Sequence, residues 1–465
     1  MKIKENIINL IKDIKSILWF LRTVWYTVSE SFWFIPALMV ISSILLSFIM
    51  IYLDANVIKI SWVKSLGWIY ENKPEGARAL LSTVAGSMIT VAGVVFSITI
   101  VALTLASSQY GPRLLGNFMR DRGNQIVLGT FIATFTYCLL ILRTIRGGED
   151  NSFVPHFSVT LGVLFAILSI SVLIYYIHHA ATSIQASTVI DRVSKNLEYT
   201  IEQTFPEKIG EGRTDLPDWW NTPSELPPDF DEDSNSIMTS HSGYLRSIDT
   251  NELLRFAEDN DLILKIHNHP GDFIVKDSPI VQVWPGSKVD KELKGKINNA
   301  FIIGIKRTSE QDVEFAIDQL VEIAVRSLSP GINDPFTAIM CIDNLSAALS
   351  KAVGRVIPSA FRYDKNNKLR VIAKPKTFDD LLNSAFNQIR QYGRTSVSVT
   401  IRLLESLIVI ASNTNRDTDK ASIRRHAEMI KRGSDEGLPE ELDRNDVDQR
   451  YMQLMDLLSG KSEII

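Results

Sequence analysis

Cysteine is scarce in this chain: two in 465 residues, Cys138 and Cys341. The first lies in an apolar run and the second in a predicted soluble helix. A disulfide framework is therefore excluded, and nothing asks for an oxidising compartment. A surplus of positive charge is missing too. The net charge is −4, which leaves no whole-chain basis for nucleic-acid binding. The catalytic signatures G-x-S-x-G, H-E-x-x-H and C-x-x-C do not occur, and the phosphate-loop spacing from Gly111 to Gly116 lacks its Lys. The reading leans away from an enzyme and assigns no catalytic residue, metal or cofactor. The opening, MKIKENIINLIKDIKSILWFL, is broken by charges and followed by no small-residue cleavage site. It is read as something other than a signal peptide.

What is present is apolar length. The hydrophobic share is 45%, and it crowds into the first 180 or so positions. Phe34 to Leu53 is uncharged and long enough to cross about 30 Å of hydrocarbon, with Trp33 and Tyr52 at its ends. Ser82 to Gln109 is a second span, Ile126 to Leu142 a shorter third, and Phe157 to Ile177 a fourth, followed by His178 and His179. The expected fold is a four-helix transmembrane α-helical domain over 34–180. The cytoplasmic α+β region beyond it holds a small β-rich, barrel-sandwich-like module and helical hairpins. Ahead of the spans, Ile7, Ile8, Ile11, Ile14, Leu18 and Leu21 recur at helical spacing, predicting an interfacial helix over 1–33 or a helical extension of the first span.

Lys and Arg flanking the spans set the expected orientation. Lys2, Lys4, Lys12, Lys15, Arg22, Arg113, Arg120, Arg122, Arg192 and Lys195 outnumber Lys59, Lys64, Lys73, Arg78, Arg143 and Arg146. The first set belongs inside by the positive-inside rule. The expected placement is a multi-pass membrane protein with both termini in the cytoplasm.

The second span carries the functional question. No charged residue separates Arg78 from Arg113, yet the stretch is rich in Ser, Thr and Gly. At about 100° per residue, Thr83, Ser87, Thr90, Val94, Ser97, Val101, Thr104 and Ser108 fall within about 100° of arc. Two readings follow. The stripe packs against other helices, with hydroxyls bonding across the contact or to their own i−4 carbonyls. Alternatively, it lines a pore around an oligomer axis, with Val94 and Val101 as apolar rings that close by dewetting. Without Asp, Glu or Lys in the stripe, a proton relay or a charged filter is unsupported. Arg113, Arg120 and Arg122 stand at the inner end as candidate pore-mouth residues, although the orientation rule accounts for them as well.

Beyond the membrane part, 181–236 reads as a connecting helix and an acidic, Pro-rich linker carrying Trp219 and Trp220. Residues 237–290 read as the β-rich module, with helix Thr250–Asn260 and turns at Pro270-Gly271-Asp272 and Lys276-Asp277-Ser278. His267 and His269 alternate as H-x-H near Asp272, too few ligands for a metal. Residues 291–415 are mainly helical. In SPGINDPFTA, Asp334 caps a helix whose first residue is Pro335, and Asn333 and Asp334 are the candidate ligand-binding corner. Arg355 to Lys374 holds two β-like runs, Gly393 ends the helix from Phe378, and 416–465 is read as a charged, peripheral helical tail.

Two resemblances extend this reading. GDFIVKDSPI resembles the half-motif of barrel-sandwich folds related to biotinyl and lipoyl domains. Those carriers modify a Lys in a tight hairpin that is missing here, so no cofactor attachment is implied. Across nearly the whole chain, FWFIPAL, RALLSTVAGSMITVAGVVFSITIVALTLASSQYGPRLL, NFMRDRG, LGTF, YIHH, PGDF, SPGINDPFTA and QIRQYGR resemble the bacterial predicted membrane protein family filed as domain of unknown function 2254. The resemblance implies an integral membrane protein and brings no catalytic residues. The expected function is a homo-oligomeric ion channel or solute conduit in the lipid bilayer, lined by the second span and governed by the cytoplasmic domain. The alternative is a non-conducting membrane-anchored sensor or scaffold whose cytoplasmic domain binds a partner or ligand.

Overall fold

The computed structural model describes residues 31–56, 73–114, 118–119, 121–147, 153–205, 226–355 and 357–460. The expected interfacial helix over 1–33 and the Trp219-Trp220 pair fall outside these residues, apart from the last few positions of the first. The chain divides into two compact units, Met1–Gln185 and Ala186–Ile465.

The first unit is helical: α1 (Phe34–Asn56), α2 (Pro74–Tyr110), α3 (Arg122–Thr144) and α4 (His156–Ser183). Helix α2 has 37 residues, about 55 Å at the α-helical rise. Helix α3 is the hub, packing against α1, α2 and α4. Small residues allow the approach. A Cβ at Gly129 would meet Met39 Sδ at 2.5 Å, and one at Gly162 would meet Leu81 Cδ2 at 3.0 Å. Around these contacts Leu81, Ala85, Tyr137, Cys138, Ile141 and Val159 form one apolar cluster, and Met88, Val95, Val127, Phe131 and Tyr176 form another. At one end of the unit, the carboxylate of Asp54 on α1 accepts from Phe157 N at 3.1 Å and Ser158 N at 2.9 Å, and also from Ser158 Oγ. A residue of the first helix thus caps the fourth, satisfying N–H groups that a helix start leaves unpaired.

Five helices among the described residues are long and apolar enough to cross a membrane: these four and Pro335–Val353 in the second unit.

The second unit begins with α5 (Ala186–Thr204). Its strands are β1 (Asn235–Met238), β2 (Gly243–Ile248), β3 (Ile263–Ile266), β4 (Phe273–Ile274), β5 (Pro279–Trp284), β6 (Phe301–Gly304), β7 (Phe361–Tyr363) and β8 (Leu369–Ala373). They form two sheets, ordered β1-β5-β3-β8-β7 and β4-β2-β6. All pairings are antiparallel except β3 with β8. Helices α6 (Thr250–Asn260) and α7 (Lys291–Asn299) cover the strands, and the shared core runs through Leu245, Leu253, Leu264, Val281, Ile297 and Val371. Strand alternation buries Gly243 and Leu245 while Tyr244 is only half-buried, and the bulge between Leu245 and Ser247 shifts the phase so that Ile248 is buried as well.

The remaining helices are α8 (Val313–Ser327), α9 (Pro335–Val353), α10 (Phe378–Gly393), α11 (Val397–Ala411), α12 (Asp417–Gly437) and α13 (Glu441–Leu458). Helix α9 packs among α5, α8 and α11. Helix α10 ends at Gly393, as expected; the backbone there is not left-handed, and a Cβ would meet Val399 Cγ1 at 2.6 Å, so close helix approach is what requires glycine. One expectation needs correction. The segment after Arg416 is no peripheral tail. Ile423, His426, Ala427 and Ile430 of α12 and Val447 and Leu454 of α13 are buried, because these positions recur at helical spacing beneath a charged outer face.

Candidate functional site

Helix α2 has two faces, each set by its sequence. Ala77, Leu81, Ala85, Met88, Ala92, Val95, Thr99 and Ala106 are buried against the neighbouring helices. Thr99 is the polar exception on that face. Its hydroxyl and that of Tyr176 on α4 lie 3.0 Å apart, and both reach the carbonyl of Val95 at 2.9 Å. With one hydrogen each, one hydroxyl donates to the carbonyl and the other donates either to that carbonyl or to its neighbour's oxygen, so both donors are satisfied inside the bundle. A small cavity beside them, lined by Thr99, Phe118, Asn124, Tyr176 and Ser183, has room for about one water.

The opposite face bears the predicted stripe. Thr83, Ser87, Thr90, Val94, Ser97, Val101, Thr104 and Ser108 are all exposed in the single chain, with Val94 at 53% and Val101 at 58%. Gly86 and Gly93 border the stripe, and a Cβ on either would meet nothing within 4 Å. Among the described residues, no helix covers this surface. The hydroxyls turn back onto their own helix: Thr83 to Ala79 O, Thr90 to Gly86 O, Ser97 to Gly93 O and Thr104 to Ile100 O, at 2.8 to 2.9 Å. Ser108 donates to Leu105 O at 2.9 Å. Each such bond uses the hydroxyl hydrogen and leaves oxygen lone pairs on the outer surface.

Past the end of α2, Arg113 is exposed in the turn Pro112–Leu114, and Arg122 is exposed as the first residue of α3. Arg120 lies outside the described residues. Asp121 caps α3 by accepting from Gly123 N at 2.9 Å, and the same oxygen lies 2.9 Å from Nε2 of His179 on α4. The ring of Tyr175 stacks on His179. The histidines at the end of the fourth span thus separate into an exposed His178 and a His179 held by a helix cap, a role that only the folded bundle reveals.

The other candidate corner is built as its residues suggest. Asp334 accepts from Thr337 N at 3.2 Å and Thr337 Oγ1 at 2.6 Å, capping α9, while Pro335 opens that helix. Asn333 adopts a left-handed backbone at φ 50°, and Asp334 N donates to Ser327 O at 2.7 Å. The carboxylate is therefore engaged at the helix start. Beside it Ile332 and Phe336 are exposed, Phe336 at 77%.

In the β-rich part, the main-chain N–H of His269 bonds Asp272 Oδ2 at 2.8 Å. Burial lowers the His267 imidazole below its usual range, helped by Lys265. Among the described residues, no group of three or more His, Cys, Asp or Glu gathers as a metal site. Gly271 of the adjoining turn has φ 100°, and a Cβ there would lie 2.3 Å from Asp312 Oδ2. Asp312 caps α8 and is clasped by Arg307, with Nε to Oδ2 at 2.8 Å and an Nη2 bond to Oδ1 at 3.0 Å. The PGD turn is thus seated on an ion pair.

The family model described as Predicted membrane protein (DUF2254) matches residues 29–408. Uncharacterized protein MT1328 of Mycobacterium tuberculosis (strain CDC 1551 / Oshkosh) is 32% identical over 385 residues, covering 81% of this chain and 71% of the relative. Uncharacterized protein Mb1321c of Mycobacterium bovis is 31% identical over the same shares. No solved structure matches the chain.

Proposed function

We propose a function from this premise: the chain belongs to the DUF2254 family of predicted membrane proteins. In this reading, copies assemble around an axis in the inner membrane as an ion channel or solute conduit. Helices α1 to α4 span the bilayer with both termini cytoplasmic. Helix α9, more than half buried among its neighbours, serves as a core helix of the cytoplasmic domain. The β-rich module is barrel-sandwich-like, and the domain around it governs assembly and gating.

The observation that carries the reading is the exposed stripe of α2. Its eight residues, Thr83 to Ser108, alternate in spacings of four and three. Such spacing keeps one seam facing a partner in a left-handed supercoil. A symmetric assembly would turn the lone-pair surface toward a shared axis, with Val94 and Val101 as apolar constrictions and Arg113, Arg120 and Arg122 at the mouth. Making a constriction polar favours the wet state. Val94→Ser and Val101→Ser are therefore expected to raise conductance in planar bilayers relative to the parent protein. If neither the single nor the double variant conducts, the channel reading fails.

A second reading has its own support: a non-conducting sensor or scaffold. Five of the six stripe hydroxyls donate within α2, so the face can pack dry against a neighbouring helix. The corner at Asn333 and Asp334 offers exposed Ile332 and Phe336 to a partner or ligand. This reading predicts no conductance from any variant, with partner binding weakened by Phe336→Ser.

A further inference from the structure

The three-stranded sheet ends in an apolar tip ringed by cations. In β2, Gly243 lies opposite Ile274 and Tyr244 opposite Phe273; on the other side Tyr244 lies opposite Gly304. Both neighbours run antiparallel to β2, so the chain just beyond β4 and just beyond β6 emerges at the same end of the sheet. That end presents Val275 and Ile305, exposed 59% and 92%, with the Phe273 ring, 58% exposed, edge-on to Tyr244 at 5.1 Å. Ile305 is a large aliphatic side chain almost wholly in solvent. Single exposed apolar residues need no explanation, but a cluster with such a member marks an interaction surface.

The charges around the tip indicate its partner. Lys276 follows Val275 and Lys306 follows Ile305, and both are exposed. The stem of Arg246 lies over Gly304, where a Cβ would meet Arg246 Cδ at 2.6 Å. Asp277 is exposed at the Lys276 turn, and Asp272, which precedes Phe273, is engaged by the main-chain N–H of His269. Apolar side chains flanked by long cationic ones suit the boundary between acyl chains and anionic headgroups, where the stems lie in the apolar zone and the charges meet phosphates. The alternative occupant, a second copy added along a sheet edge, fits less well. Strand β4 is two residues long, and the apolar residues gather at the strand ends rather than along an edge.

We propose that this tip, carrying Phe273, Val275 and Ile305 with Lys276, Lys306 and Arg246, docks onto a bilayer surface containing anionic lipid. The same chain is held in a membrane by its apolar helices. Tip insertion is therefore an intramolecular event, and modest intrinsic affinity suffices. The docking is independent of whether α2 conducts.

The test uses the full chain in lipid nanodiscs. Ile305→Cys is labelled with an environment-sensitive nitrobenzoxadiazole dye. The native Cys138 and Cys341 are fully buried, which directs the label to the tip. The expected result is blue-shifted emission and quenching by doxyl-labelled lipid when phosphatidylserine is present. Both are lost in phosphatidylcholine alone and in the Lys276→Glu, Lys306→Glu background. A blue shift without lipid quenching would mean contact with protein, and would overturn the proposal. So would the absence of any shift, or quenching indifferent to lipid charge and to the two lysines. Retention of the parent protein's thermal unfolding temperature by each variant excludes misfolding as the cause.

Discussion

Replacing Asp54 tests whether the first apolar helix fastens the fourth. Its carboxylate accepts from Phe157 N, Ser158 N and Ser158 Oγ, and the residue is 8% exposed. Hydrogen bonds to a charged group contribute about 1.5–3 kcal/mol each when a partner is removed and left unsatisfied. An anion at a helix start adds roughly 0.3–1 kcal/mol. Water at the end of the bundle recovers part of this. Asp54→Ala is therefore expected to cost about 2–4 kcal/mol, and Asp54→Asn, which keeps one acceptor oxygen but loses the charge, about 1–2 kcal/mol. The assay is reversible unfolding of the purified full chain in mixed detergent micelles, followed by helical circular dichroism. Asn56→Ala on the same turn is the control: among the described residues its side chain bonds Tyr52 O, in an exposed setting, and it should change stability by less than about 0.5 kcal/mol. If the Asp54 variants behave like that control, the carboxylate is not a fastening and the argument fails.

Gly271→Ala forces a side chain onto Asp312 at a backbone angle of φ 100°. A loss of about 2–4 kcal/mol is expected in denaturant titration, from strain and the disturbed ion pair; Gly331→Ala, which meets open space, should be near neutral. His426 is fully buried, and burial, reinforced by Arg425, pushes its imidazole from 6.5 down to about 4. Between those values the unfolded chain binds the proton and the folded chain does not, so stability falls as pH drops from about 6.5 toward 4 and then levels off. At roughly 1.4 kcal/mol per pH unit the loss comes to about 3 kcal/mol. Subtracting the pH profile of His426→Gln from that of the parent isolates it, and coincident profiles would refute it.

Local patterns were readable from the sequence, and contacts between distant residues were not. The two faces of α2 follow from where Ser, Thr, Ala and Met recur at 3.6 residues per turn; the eight stripe positions are exposed, and so are Ile89, Phe96, Ile98, Ile100 and Leu105 around them. Asp334 before Pro335 marked the start of α9 because capping depends on residues only three apart. Helix α6 occupies the predicted Thr250–Asn260 for a similar reason: Asp249 caps it. The Asp54 cap joins residues 104 apart, and nothing around Asp54 distinguishes it from an ordinary carboxylate ending a span. Gly271 was legible as a turn glycine, but its seat on Asp312 depends on the folded unit. The burial of α12 and α13 was obscured by their many charges, which occupy the face away from the core.

Strand β8 returns to lie in parallel beside β3. The path therefore leaves the sheets at Gly304, threads through α8 and α9, and re-enters them at Phe361. A fragment cut before that return would keep β3 with a bare hydrogen-bonding edge, the kind of surface that recruits strands from other molecules. Truncated forms of this protein should thus stick to one another even where every residue of the N-terminal strands is intact.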